Sequence, residues 1–565
     1  MKQITVLILG AGIMQLPAIR IAQAKGWRVV AADGNPAALG AGLADIFEYV
    51  DLKDKDGMVI LAKKIASTVG LNGVFTAGTD FSTTVAWVAE NLGLPGISYA
   101  TALNATEKSR MRHIFRKHGI PSPEFRTFEN IDGIVEKCRP LSWPLVVKPV
   151  DNMGARGIRR VDTEDELSTA AEKAVTYSRS GKIIVEEYVE GEEFSIDALV
   201  YKGKITVCGF ADRHICFPPY FVEMGHTIPS AAAPEKIQWM TDVFAAGVRA
   251  LGIDMGAAKG DVKLSPRGPV IGEIAARLSG GYMSGWTFPY SSGIEVTGAA
   301  LNIAVGFPPG DLSPKWHEFS AERAVISIPG KIERITGIHE AEKFDHVKNV
   351  FISRKAGDEV VFPTCNVEKC GNVITQCQDR QDAIFSAEEA SRRIVVVLEP
   401  GNQTTGRFLF GTNTTRAPDA YVLKLRADIE AYDNMADFSV SPFLEKALHA
   451  KSRADRKQCD IIFSIEPLPE VEKETACDWQ GRTMLSALRE FKARVGIFLG
   501  IQDGEEIQSR DISGLDEERA IVLGKIFWRS FLRGGIQGGL WLVETVKKAV
   551  DEGAELKDLI ESWRS

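Results

Sequence analysis

The stretch from Pro144 to Gly157, Pro-Leu-Val-Val-Lys-Pro-Val-Asp-Asn-Met-Gly-Ala-Arg-Gly, constrains the fold more than any other part of the sequence. Its apolar run, residues 144–147, reads as a buried strand that delivers Lys148 and breaks at Pro149. A short loop containing Gly154 and Gly157 follows, and Ile158–Val161 returns the chain as a second strand. An ammonium at a strand end neutralises anionic charge. Glycines beside it let backbone N–H groups approach phosphate oxygens closely. An ordinary hairpin with a surface lysine has the same local pattern, so the decision rests on whether the rest of a nucleotide site follows.

The chain has 565 residues, room for roughly three or four domains. Its net charge of −8 argues against a nucleic-acid footprint, which is normally basic. No apolar run has the length of a membrane span. The N-terminal run Ile4–Leu9 ends in Gly10-Ala11-Gly12, so it reads as the first strand of a cytoplasmic protein, not as a signal peptide. Cys365, Cys370 and Cys377 form the one cysteine cluster. Their spacing is not Cys-x-x-Cys and a fourth zinc ligand is not evident, so buried reduced thiols are expected.

Residues 1–103 alternate strand and helix: strands at Val6–Leu9, Arg28–Ala32, Asp45–Val50 and Gly73–Thr76, helices at Met14–Lys25 and Gly57–Val69. That pattern predicts an open parallel α/β sheet. Gly10-Ala11-Gly12 stands at the first strand–helix turn, and Asp33 lies 23 residues beyond Gly10, where a ribose-binding acid of an NAD site would sit. Gln15 replaces the third glycine of that motif, which favours use of the fold as a substrate domain. A polar, basic helical link spans 101–130. Mixed strands and helices continue to about 319, and residues 320–400 read as mostly β with one helix at Ala387–Arg393. The polar stretch 401–418 is taken as a linker, and 419–565 as a helical domain with helices at Thr483–Ala493, Glu517–Leu532 and Leu540–Glu552.

Further acids and bases follow the glycine loop in order. Ile183–Val185 leads into Glu186-Glu187-Tyr188-Val189-Glu190-Gly191-Glu192-Glu193, whose acceptors suit adenine and ribose. Asp261 and Glu273 lie on two strands joined by Ser265-Pro266-Arg267-Gly268, and alternation can set both carboxylates on one face. Facing acids repel unless a divalent cation lies between them, and Mg²⁺ takes one or two carboxylates plus substrate phosphates. Solvated acids on exposed hairpins are the plainer reading of each motif.

Together these segments resemble the ATP-grasp superfamily over about residues 1–400, with the architecture of biotin carboxylase-like members. The resemblance implies a fold class of α/β and α+β domains: an α/β domain at 1–103, an ATP-grasp domain at 104–319 and a β-rich subdomain at 320–400. It implies that Lys108 and Lys148 contact the phosphates of ATP and that Asn152, Met153, Gly154, Ala155, Arg156 and Gly157 form the mobile loop over them. It also implies that Glu186, Glu187 and Val189 border adenine and that Glu193 holds the ribose. Asp261 and Glu273 match the metal-ligand positions, for Mg²⁺ with Mn²⁺ as the alternative, and Arg277 matches the arginine that steadies the transferring phosphoryl group. Ala275 stands where the family often has a metal-binding asparagine, which puts the second metal in doubt.

The segments 211–214 and 220–230 are similar to the substrate side of carboxylate–amine ligases of the amino-acid ligase kind. On that likeness Arg213 pairs a substrate carboxylate, Glu223 takes an amine, His226 hydrogen-bonds the substrate or relays a proton, and Gly280 and Gly281 let main chain approach the cleft. The expected partners are a small carboxylate and an amine, and the last region is read as serving either a homodimer contact or a lid over the cleft. The alternatives are a purine-pathway-like formyl or carboxyl transfer ligase and a nucleotide-binding scaffold. The glycine-dense run Leu532–Trp541 is read as close helix packing, with Phe527, Trp528, Phe531 and Trp541 as core or interface anchors.

Overall fold

A computed structural model describes residues 3–411, 420–421, 462–463, 476–498, 520–521, 524–552 and 562–563. The predicted strand–helix alternation at the N-terminus forms a four-stranded parallel sheet, in the order Ile46–Tyr49, Arg28–Asp33, Thr5–Leu9 and Gly73–Phe75. Apolar side chains fill both faces of its central strands, as a parallel sheet covered on two sides requires. Helix Lys55–Thr68 packs on one face and starts where the Asp54 carboxylate accepts the Gly57 N–H at 2.9 Å.

The hairpin around Lys148 belongs to a second, antiparallel sheet. Its order is Phe125–Phe128, Ile183–Glu187, Leu145–Pro149, Arg159–Val161. Pro149 ends the strand from inside it, so the break lies one residue later than the apolar run suggests. Helix Glu164–Tyr177 covers one face of this sheet, burying Leu167, Ala170, Ala171 and Ala174. Its first turn carries Glu164, Asp165 and Glu166, favourable at the positive end of the helix dipole.

An eight-stranded sheet forms the body. In order it runs Gly268–Ala275, Met255–Ser265, Glu192–Tyr201, Lys204–Cys216, Val222–Ile228, Ser320–Val325, Gly371–Thr375 and Val347–Ile352. The division expected at residue 319 therefore falls inside one sheet. Ser320–Val325 pairs directly with Val222–Ile228, with Thr227 opposite Ala321.

Three more expectations need correction. Residues 320–400 hold two helices, Ile338–Glu342 and Arg380–Arg393, and the second starts seven residues before Ala387, capped by the Asp379 carboxylate. Its first half was obscured because Gln381, Asp382 and Ser386 make it look like a loop. The polar stretch 401–418 is not all linker: Gln403–Phe410 is a helix, capped by Asn402, that buries Leu409 and Phe410. The described residues of the last region also pack into the β-rich part. One core contains Val325, Ile332 and Val396 of the β-rich part together with Phe491, Phe531 and Trp541.

Helix Met484–Phe498 contains all of the predicted 483–493 segment except Thr483, and Gly524–Glu552, broken at Gly535, covers Leu540–Glu552 and residues 524–532. The start predicted at Glu517 needs correction, because Ala520–Ile521 is a strand paired with Ile462–Phe463, while 517–519 and 522–523 lie outside the described residues. Its glycines do serve close packing. A methyl group on Gly534 would lie 2.7 Å from the Leu409 side chain, and one on Gly539 2.9 Å from Phe491. Among the described residues no helix is long and apolar enough to cross a membrane.

Candidate active site

The N-terminal sheet, the Lys148 sheet and the eight-stranded sheet meet around one cavity of about 700 Å³. Its floor is a trio of buried charges. Helix Lys108–His118 presents Lys108 and, one turn on, Arg112 on the same face. Lys148 and Glu186 come from neighbouring strands, with Val146 directly opposite Glu186. Glu186 accepts from Lys148 Nζ at 2.5 Å and from Arg112 Nε at 2.8 Å, and Arg112 Nη2 donates to the Gly272 carbonyl at 2.6 Å. Burial depresses the Lys148 ammonium below its ordinary value, partly offset by Glu186. Burial pushes the Glu186 carboxyl up, but Arg112 and Lys148 outweigh it and hold it ionised. Two cations on one carboxylate leave an excess of positive charge at the cavity wall.

Lys108 is 3% exposed. Its ammonium donates to the Asn152 carbonyl at 2.7 Å and lies 3.5 Å from Glu273. It thereby fixes the start of the glycine loop. Asn152, Met153, Gly154, Ala155 and Arg156 all line the cavity, but Gly157 does not; it sits against Tyr177, where a methyl group would meet ring and Cβ atoms at 2.8–3.0 Å. Gly154 and Ala155 both have left-handed backbone, at φ 68° and 61°. The loop is tied on two sides: the Asn366 N–H donates to the Gly154 carbonyl at 3.0 Å, and Arg156 Nη2 lies 3.9 Å from the Asp80 carboxylate.

Asp261 and Glu273 are register partners across an antiparallel pair, as the alternation predicts. Burial raises the Glu273 carboxyl, yet Lys108, Lys259, Lys148 and Arg277 pull it down to about 2. Asp261 pairs with Lys259 and with Arg213 Nη1, the latter at 2.8 Å. Two carboxylates on one face of the cavity fit a hard divalent cation that takes its remaining ligands from a polyphosphate and water. Among the described residues no cluster of three or more acids, histidines or cysteines could hold a metal without a substrate. Buried Ala275 adds no ligand.

Arg277 lines the cavity, and its Nη1 donates to the Leu278 carbonyl at 2.8 Å. Beside it Ser279 donates to Asp197, whose carboxyl burial pushes up to about 6. Gly280 and Gly281 line the cavity against Gly78 of the N-terminal domain. A Cβ on Gly78 would sit 2.9 Å from Gly280 Cα.

Glu187, Val189, Glu193, Arg213 and Glu223 also line the cavity, each with a partner within the protein. Glu187 borders the cavity, but its N–H already donates to Glu124 and its carboxylate accepts from Ser142. The Val189 carbonyl accepts from Lys263 at 2.9 Å. Glu193 is paired with Lys263 at 2.9 Å. Arg213 is not an open fork for a substrate carboxylate. Its Nη2 lies 2.7 Å from Glu223, and its Nη1 lies 2.8 Å from Asp261 and 3.7 Å from Glu193. Burial lowers the Arg213 guanidinium, but these three carboxylates prevail and raise it. His226 does not line the cavity; it is fully buried behind Glu223, with Nε2 2.8 Å from Thr287 and Nδ1 3.3 Å from Glu322. Glu223 does face the cavity, at 9% exposure. Burial raises its carboxyl, and Arg213, Lys369 and His226 bring it to about 2.

Several lining residues escaped the sequence reading. Arg112 could have been found as the residue four after Lys108 on one helix face. Asp80, Asn366, Lys369 and Asn372 could not, because they reach the cavity from loops and strands distant in sequence. The dinucleotide reading of the first turn is disfavoured by geometry. The Asp33 carboxylate accepts the Ala11 N–H at 2.6 Å, and the Gln15 amide fills the space above Gly10 and donates to the Ala77 carbonyl at 2.6 Å.

Comparison with known proteins agrees with this geometry. Residues 141–285 match the family described as ATP-grasp domain, and 324–399 the family described as L-amino acid ligase C-terminal domain 2. The crystal structure of L-amino acid ligase from Bacillus licheniformis superposes with a TM-score of 0.62 at 23% identity, over 71% of this chain and all of that one. The L-arginine-specific L-amino acid ligase of Bacillus subtilis is 26% identical over 278 residues, 47% of this chain and 66% of that protein. Carnosine synthase 1 of Homo sapiens is 24% identical over 329 residues, 54% of this chain and 40% of that protein, so the chain spans less than half of that relative's length. By fold and site the chain thus contains an ATP-grasp domain, within an architecture shared with an L-amino acid ligase. More particularly, it joins an ATP-grasp domain to a C-terminal domain of the L-amino acid ligase type.

Proposed function

We propose that the chain activates a small, amino-acid-like carboxylate as its acyl-phosphate at the expense of ATP, joins it to an amine and releases ADP and phosphate. The observation that carries this reading is the convergence of Lys108, Lys148, Arg277, Asp261 and Glu273 on one cavity roofed by the 152–156 loop. The chemical problem is charge. Triphosphate and carboxylate repel, and positioned cations offset that repulsion, so catalysis is chiefly orientation and electrostatics.

In this reading Lys108 and Lys148 hold the phosphates, and Lys108 also keeps the loop in place through the Asn152 carbonyl. Asp261 and Glu273 would hold Mg²⁺, which supplies further neutralisation of the triphosphate. A carboxylate oxygen attacks the γ-phosphorus as the bond to ADP breaks. The amine nitrogen then attacks the acyl carbon, the bond to phosphate breaks, and the amine proton passes to solvent. Arg277 faces the anionic groups of both steps. Glu223, ionised throughout the neutral range, offers a site for a substrate ammonium. Arg213 acts on substrate through the carboxylates it aligns, and His226 through Glu223.

The test is Mg²⁺-dependent ADP release across a panel of amino acids paired with amines, with purine intermediates as a second panel. Lys148→Ala should abolish release while circular dichroism shows the fold intact; retained turnover would refute the site. Release with purine intermediates alone would favour formyl or carboxyl transfer, and no release with any pair would favour a nucleotide-binding scaffold.

A further inference from the structure

We propose that Trp479, in the region beyond residue 411, is a positioning residue for the adenine-side wall of the cavity. This inference rests on the nucleotide reading of residues 186–189. That wall contains Phe221, which packs 6.2 Å from Tyr188 and stands at the end of the loop 217–221. The loop is held from within by the Arg160 N–H donating to the Pro219 carbonyl at 2.8 Å and by the Tyr220 N–H donating to Phe217 at 2.8 Å. At its start Phe217 has left-handed backbone, φ 67°. A bulky residue keeps that conformation only where its surroundings impose it.

The surroundings are an aromatic stack leading to the C-terminal region. Phe217 meets Phe362 edge-on at 5.1 Å, and Phe362 meets Trp479 edge-on at 4.9 Å. All three belong to one cluster with Val222 and Met224, the residues that flank Glu223. The turn that carries Trp479 is rigid. The Asp478 carboxylate accepts the N–H groups of Gln480 and Arg482 at 2.9 Å each and the Arg482 guanidinium at 2.9 Å. Arg392 Nε donates to the Gln480 carbonyl at 2.8 Å, which fixes the turn to helix Arg380–Arg393. Trp479 is thus a stationary backstop. Removing its ring lets Phe362 relax, and Phe217 and Phe221 follow. The phosphate end, held by Lys108 and Lys148 on other elements, stays in place.

The experiment separates the two ends of the nucleotide by comparing Mg²⁺-ATP with inorganic tripolyphosphate, measured by titration calorimetry on the full chain. Trp479→Ala should weaken ATP roughly tenfold, as loss of an aromatic support implies, with tripolyphosphate unchanged. Trp479→Phe should restore most of the loss. Phe362→Leu, tested independently, should reproduce it and covers the case in which the alanine variant does not fold. Unchanged ATP affinity, or an equal fall for both ligands, would overturn the proposal. A wild-type protein with no preference for ATP over tripolyphosphate would instead refute the adenine reading of 186–189, and the inference with it.

Discussion

Glu186 is the residue on which the phosphate wall depends. It is 2% exposed and carries two cations, so loss of either one is felt differently. Arg112→Met removes the deeper partner and leaves the buried Glu186 carboxylate with Lys148 alone. Breaking such a pair costs about 3–5 kcal/mol, and chemical denaturation should show it. Arg112→Met with Glu186→Leu should recover none of that loss, since the buried Lys148 ammonium then lacks its carboxylate. Asp197 supports a pH test. Its folded pKa, about 6, lies above the ordinary aspartate value, so the protonated form is favoured in the fold. The fold therefore binds a proton more tightly there, and this group's contribution is full below about pH 4 and is lost as pH rises through about 6. Asp197→Asn should flatten that part of the stability–pH curve, measured as Tm against pH. Glu223 and Glu273 have the opposite sign: their stabilisation is complete above the ordinary glutamate value and is lost as pH falls towards about 2.

At the scale of elements, the paired strands Met255–Ser265 and Gly268–Ala275 set the face proposed for Mg²⁺. Asp261→Asn should raise the Mg²⁺ concentration for half-maximal ADP release severalfold while leaving tripolyphosphate binding in EDTA unchanged. Period-two alternation made this face legible in the sequence, and the strand–loop–strand around Lys148 was legible for the same reason. Local spacing says nothing about partners from distant strands. Likeness to the substrate side of amino-acid ligases makes Arg213 a substrate clamp, but Glu223 from the adjacent strand and Asp261 from two strands away already occupy its guanidinium. His226 misled in the same way. Strand alternation puts it on some face, but only the Ser320–Val325 neighbour, which brings Glu322, shows that this face is closed.

For the whole molecule, the shared core around Trp541 means that the C-terminal region cannot be removed without exposing the β-rich part. Trp541 is fully buried, and its indole N–H donates to the Glu399 carbonyl at 2.9 Å. Trp541→Ala should cost about 3–5 kcal/mol. It should also lower a single cooperative Tm, whereas an independent C-terminal domain would give two separate transitions by calorimetry. The polar composition of 401–418 hid this union in the sequence, because Leu409 and Phe410 are too few to mark a core helix by periodicity.

Gln15 carries a consequence at the opposite end of the molecule. The side chain that fills the first turn also grips the Ala77 carbonyl, and Ala77 bridges to Leu278. One amide therefore seals a crevice of the parallel sheet and, by the same hydrogen bond, steers Gly78–Phe81 to the mouth of the neighbouring cavity. A shorter residue there would do two things at once. It would open a polar hollow above Gly10 and loosen the rim of that cavity, so the N-terminal domain acts as the cavity's fixed jaw.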